Sequence, residues 1–118
     1  MGIDSAKQIC PLMEATRLVV AEKQQYKSET ITAAGAISIS TPVSYLVTGG
    51  AIAITLANGY EGQTKTIIMV TDGGTATLTP TSFANGTTIT FDDALDNWDG
   101  IFHAGSWYSR GTPTATVA

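Results

Sequence analysis

The sequence predicts an all-β fold, a small antiparallel jelly-roll-like sandwich of about eight short strands behind an N-terminal arm. Three observations carry that expectation. From Thr30 onward apolar residues recur with a period of two, β-branched residues dominate, and Gly, Asn and Asp punctuate the chain at short intervals. The length of 118 residues fits one domain, and a chain of that size buries a core without disulfide or metal staples.

The arm comes first. Residues 1–29 hold most of the Lys, Glu and Gln, and within them Ile9, Leu12, Met13, Thr16 and Val19 or Val20 fall at helical spacing, with Pro11 suited to a first turn. A second reading takes residues 16–21 as a β-branched strand entering the main domain, and the residues leave both open. No apolar h-region of about 7 to 15 residues can be drawn through Lys7, Glu14 and Arg17. The expectation is a protein that stays where it is made or leaves inside an assembly.

The strands follow in residues 30–110, at 31–40, 43–48, 51–57, 64–71, 76–79, 87–91, 100–104 and 106–109. Turn chemistry separates them: Gly49-Gly50, Asn58-Gly59, Asp72-Gly73-Gly74 and Asn85-Gly86 tolerate positive φ. Ile52, Ile54 and Leu56 alternate with Ala and Thr, and Val43, Tyr45 and Val47 alternate with Ser44 and Thr48, which assigns one core face to each strand. Ile67-Ile68-Met69-Val70 is apolar on both faces and needs a second cover, either a neighbouring subunit or a loop of the same chain. No internal repeat stands out, and residues 111–118, rich in Thr and Ala, read as a C-terminal tail.

Composition narrows the function. Six Lys and Arg against ten Asp and Glu give a net charge of −4, all of it beyond the arm, the wrong sign for a nucleic-acid surface. No apolar run approaches the roughly 18 residues that span a bilayer. Cys10 is the single cysteine, which excludes an intrachain disulfide and a CxxC metal site.

The chemistry-bearing residues form no complete constellation. His103 has no partner His or Cys for a metal, and no Gly-x-Ser-x-Gly elbow accompanies it. Asp92, Asp93, Asp96 and Asp99 with Asn97 are the best ion-site candidate, but the EF-hand spacing fails, and a solvated acidic loop is the expectation. Gly59 to Thr66 ends in Lys-Thr without the glycine spacing of a phosphate-binding loop, so Gln63 and Lys65 are expected on a solvent face. Trp98, Phe102, Trp107 and Tyr108 cluster near the C-terminus, where aromatics anchor a core or interface or stack on sugar rings. Asn85-Gly86-Thr87 matches a glycosylation sequon and reads as a hairpin turn. The sequence therefore predicts no enzyme and no cofactor or bound metal.

Three pieces of sequence carry a resemblance. Gly62-Gln63-Thr64-Lys65-Thr66-Ile67-Ile68-Met69, Thr71-Asp72-Gly73-Gly74-Thr75-Ala76-Thr77-Leu78-Thr79-Pro80 and Asn85-Gly86-Thr87-Thr88-Ile89-Thr90-Phe91, closed by Trp107, resemble a β-module of small virion structural proteins of tailed bacteriophages. Residues 95–105 depart from that module's apolar strand. Such modules occur in capsid decoration (cement) proteins and in parts of fibres and spikes. The resemblance implies a jelly-roll-like capsid decoration protein on the outer surface of the virion, made in the host cytoplasm, that binds the major capsid protein and itself, as a homotrimer. The alternative it implies is a fibre, spike or carbohydrate-binding module recognising a host glycan through Trp98, Trp107 and Tyr108. On the first reading Ile9, Leu12, Met13, Leu18, Val19 and Val20 of the arm grip the capsid, and Ile67, Ile68, Met69 and Val70 mediate self-association. Neither nucleic acid nor membrane is an expected partner.

Overall fold

The computed structural model describes residues 27–118. The arm residues Ile9, Leu12, Met13, Leu18, Val19 and Val20 lie outside the described residues. Within them the chain is all-β, ten strands in two five-stranded sheets packed as a sandwich. No helix among the described residues is long and apolar enough to cross a membrane.

The first six strands alternate between the sheets. β1 (Ser28–Ile31), β3 (Val43–Val47) and β5 (Thr64–Thr71) lie side by side in sheet A, while β2 (Gly35–Ile37), β4 (Ile52–Leu56) and β6 (Ala76–Pro80) do so in sheet B. Each connection turns the corner from one sheet to the other, so a strand returns to its own sheet pointing the way its predecessor did. All four of these ladders are parallel, with Ser28 beside Val43, Val43 beside Thr66, Gly35 beside Ile54 and Ile52 beside Ala76. β7 (Ile89–Phe91), β8 (Asn97–His103), β9 (Ser106–Ser109) and β10 (Thr116–Val117) then close the sandwich with antiparallel ladders. The two-sheet sandwich is as the sequence predicts. The pairing is half parallel where antiparallel pairing was expected, because alternation along a strand is blind to its neighbour's direction. The core face of β3 is also the reverse of the expected one: Ser44, Leu46 and Thr48 point inward, and Val43, Tyr45 and Val47 outward.

The corners explain the paired glycines. The turn at Gly73-Gly74 lies directly on the turn at Gly49-Gly50, and a Cβ on Gly73 would stand 2.1 Å from the Thr48 carbonyl oxygen, one on Gly74 2.2 Å from the Gly50 carbonyl carbon. Only glycine permits that approach. Thr48, buried between the turns, donates its hydroxyl to the Gly74 carbonyl at 2.7 Å and accepts the Gly73 N–H at 3.0 Å. Residues 47–56 and 71–80 are thus successive rungs of one coil, in constant register from Val47 beside Thr71 to Leu56 beside Pro80. The irregularity falls just ahead of the corner: Leu46 pairs with Met69 and Val47 with Thr71, which leaves Val70 as a β-bulge.

Between the sheets lie Leu46, Ile54, Leu56, Ile67, Met69, Leu78, Ile89, Phe91, Trp98 and Trp107, all essentially sealed from water. Each such side chain contributes about 1.5–3 kcal/mol by burial. Phe83, Trp98, Trp107 and Phe102 meet edge to face, with ring centroids 5.9, 6.3 and 5.2 Å apart in that order. Residues 95–105, where the chain departs from the resembling module, supply the long strand β8, which pairs with β5 on one side and β9 on the other. The free edge of β9 is covered in turn by residues 82–84, which exchange backbone hydrogen bonds with Trp107. Residues 111–118 are integrated into the fold: β10 joins β7, and the Ala118 carbonyl accepts the N–H groups of Thr87 and Thr88.

Candidate interaction surfaces

The two sheets present different outer faces. On sheet B the outward positions are Ala36, Ala53, Thr55, Thr77, Thr79, Thr90 and Thr116, small side chains with hydroxyls for water. On sheet A, Thr30, Tyr45, Ile68 and Asn97 form one row, and Thr64, Ile101 and Tyr108 another, with Val43, Val47 and Val70 along the neighbouring rows. Tyr45, Ile68 and Ile101 are half-buried, whereas Val70 is 49% exposed. Asp99 is the charge within this face, and its carboxylate accepts the Thr66 hydroxyl at 2.6 Å.

Of the four residues expected in self-association, Ile67 and Met69 are sealed in the core, which removes them from any surface, and Ile68 and Val70 point outward from sheet A. β5 is apolar on both faces because its inner side meets the core and its outer side belongs to this apolar face.

The indoles expected to stack on a glycan are buried. Trp98 and Trp107 are fully enclosed; Trp98 donates its N–H to the Ser109 hydroxyl at 2.8 Å and Trp107 to the Ala57 carbonyl at 2.9 Å. A sugar ring has no access to either face. Tyr108 is exposed, its ring 5.8 Å from that of His103. His103 Nδ1 lies 2.6 Å from the Glu61 carboxylate, whose other oxygen accepts the Ala104 N–H at 3.0 Å. The Ala104 amide, followed by His103, holds the Glu61 carboxyl below its ordinary range.

The acidic loop is brought together in part. The carboxylates of Asp92, Asp93 and Asp96 lie within 4.8 Å of one another, while Asp99 is engaged with Thr66 on the sheet and Asn97 donates its backbone N–H to Thr114. Asp96 turns its carboxylate back on the loop, accepting the N–H groups of Asp92 and Asp93 at 3.0 and 3.1 Å. The hydrogen bond with Asp96, then partial desolvation, raises the Asp92 carboxyl. Asn85, in the sequon, accepts the Ser109 N–H with its side-chain oxygen, in keeping with a turn.

Lys65 is the largest departure from expectation. It points into the sandwich with Ile67 and Met69, not to solvent, and its ammonium meets the carbonyls of Ser38 and Thr41 at 2.6 Å each and the Glu29 carboxylate at 3.4 Å. Glu29 also accepts the Ser44 hydroxyl at 2.6 Å and the Ser38 N–H at 3.0 Å. Gln63, half-buried, donates to the Ile39 carbonyl, and the Thr66 N–H reaches that of Pro42. The Gly-Gln-x-Lys piece therefore fastens the connection between β2 and β3. Burial pushes the Lys65 ammonium down, against the opposing pull of Glu29. For Glu29, burial acts upward, but the hydrogen bonds from Ser44 and Ser38 and the Lys65 charge together bring it below its ordinary range. The available sequence signal was parity, since Lys65 shares its side of β5 with Ile67 and Met69.

No protein-family model matches the chain, and no curated protein matches it in sequence.

Proposed function

We propose that the protein is a bacteriophage capsid decoration protein, seated on the outer surface of the major capsid protein shell and stabilising it as a homotrimer. The observation that carries this reading is the asymmetry of the sandwich: one outer face offers Val, Ile and Tyr side chains and the other Thr and Ala. Large apolar side chains gathered on one face suit a protein contact. The resemblance of residues 31–108 to virion β-modules supplies the kind of contact.

Co-sedimentation tests the reading. Purified protein is mixed with undecorated capsids assembled from the major capsid protein of the encoding phage, and it is expected to pellet with them and to raise the temperature at which they break open. Protein that stays in the supernatant with intact capsids overturns the proposal.

The parallel coil of β1 to β6 favours one other reading, a module of a fibre or spike, because rungs of this kind stack in one direction. Immunogold labelling separates the two: label over the head supports decoration, and label over the tail supports the fibre.

A further inference from the structure

Resting on the decoration reading, we infer that the outer face of sheet A is the surface that seats on the shell, and that it meets a capsid-protein surface with an apolar centre and a basic rim. The centre of the face is set by Tyr45 beside Ile68 and by Ile101 beside Tyr108. At the Thr64 end of β5 stands the exposed carboxylate of Glu61, held by the Ala104 amide. At the other end, Asp72 follows β5, and Asp92 and Asp93 precede β8, all three exposed. Two cations flank the sides, Lys27 ahead of β1 and Arg110 after β9, where the Arg110 N–H bonds to the Asp99 carbonyl.

This charge arrangement decides between occupants. Both strand ends of sheet A carry carboxylates, so two copies packed face to face with their strands aligned, parallel or antiparallel, bring acid onto acid, a repulsion that accumulates across an interface. A partner with Lys or Arg around an apolar centre meets the same ends with opposite charge. The outer face of sheet B, without large apolar side chains, is left to water.

The test is the co-sedimentation assay on the full chain with Ile68→Glu and, at the more exposed bulge, Val70→Glu, beside Thr77→Glu on sheet B as control. Circular dichroism and melting establish that each variant is folded. The expected result is that both sheet A variants lose about tenfold or more in apparent affinity, that Thr77→Glu binds as wild type, and that wild-type binding weakens as salt rises. Sheet A variants that bind as wild type overturn the assignment of the face while the decoration reading stands. Binding indifferent to salt overturns the basic rim. Wild type that fails to bind at all sinks the decoration reading and this inference with it. Light scattering closes the remaining route: a wild-type oligomer that Ile68→Glu converts to a monomer gives the face to a second copy and overturns the inference.

Discussion

The indole of Trp98 lies across Gly100, two residues further along the same face of β8, so closely that a Cβ on Gly100 would stand 2.1 Å from Cη2 of the ring. The glycine is the floor on which the largest core side chain rests. Gly100→Ala therefore forces the indole out of its contacts with Phe83 and Trp107. It is expected to destabilise the fold by about 1–3 kcal/mol, read as a lower urea midpoint. A midpoint equal to that of wild type would show that the ring moves aside at no cost.

Replacing Lys65 with Met keeps much of the buried volume but leaves the carbonyls of Ser38 and Thr41 without their donor. The expected loss is about 1–3 kcal/mol for each buried group left unpaired. Because Lys65 fastens residues 38–42, hydrogen exchange should quicken there first, ahead of β6 and β7. Uniform acceleration across both sheets would contradict a local clamp.

Acid should weaken the fold. Glu29 and Glu61 are both held below the ordinary glutamate value of 4.5, so their charged forms stabilise the native state above that value, and the contribution is lost as pH falls through it toward their lower native values. Asp92, raised above 3.8, acts in the opposite sense and gives back part of the loss, since its protonation is easier in the native loop. Urea midpoints measured between about pH 3 and 7 should decline below 4.5, and Glu29→Gln should flatten that decline. A variant as acid-sensitive as wild type would exclude Glu29 as a source.

Buried indoles make a further expectation simple to check. Emission from Trp98 and Trp107 should be blue-shifted, resist quenching by iodide and stay unchanged when soluble glycans are added. A sugar-dependent shift would mean that the aromatic cluster opens to ligand, and would revive the glycan reading.

The sequence revealed the inward face of β4 but inverted that of β3, where Val43, Tyr45 and Val47, the side expected in the core, face outward while Ser44, Leu46 and Thr48 turn inward; it revealed least about neighbours. Ile52, Ile54 and Leu56 announce their inward side by alternation, although Ile52 itself is only half-buried. The parallel partnership of β4 with β6 has no local signature, because the pattern Ala53-Ile54-Thr55 reads the same whichever way the next strand runs. Thr48-Gly49-Gly50 and Asp72-Gly73-Gly74 were legible as turns. Their stacking was not, since nothing local marks the two Gly-Gly corners as packing on one another. For the surfaces, the apolar excess of residues 67–70 was visible, but only the register separates Ile67 and Met69, which fill the core, from Ile68 and Val70, which face outward. Lys65 misled because charge suggests solvent, whereas its strand parity indicated the interior.

The antiparallel strands β7 to β10 have a consequence for assembly beyond closing the core. A two-sheet parallel coil can grow indefinitely along its hydrogen-bonding axis, each rung templating the next, and a bare end invites another chain to continue it. Here the coil is stopped after β6: β7 and β8 run against their neighbours, and residues 82–84 cover the β9 edge. Strand reversal thus ends the parallel coil, and in sheet A the segment laid along β9 occupies the edge that another chain would otherwise extend.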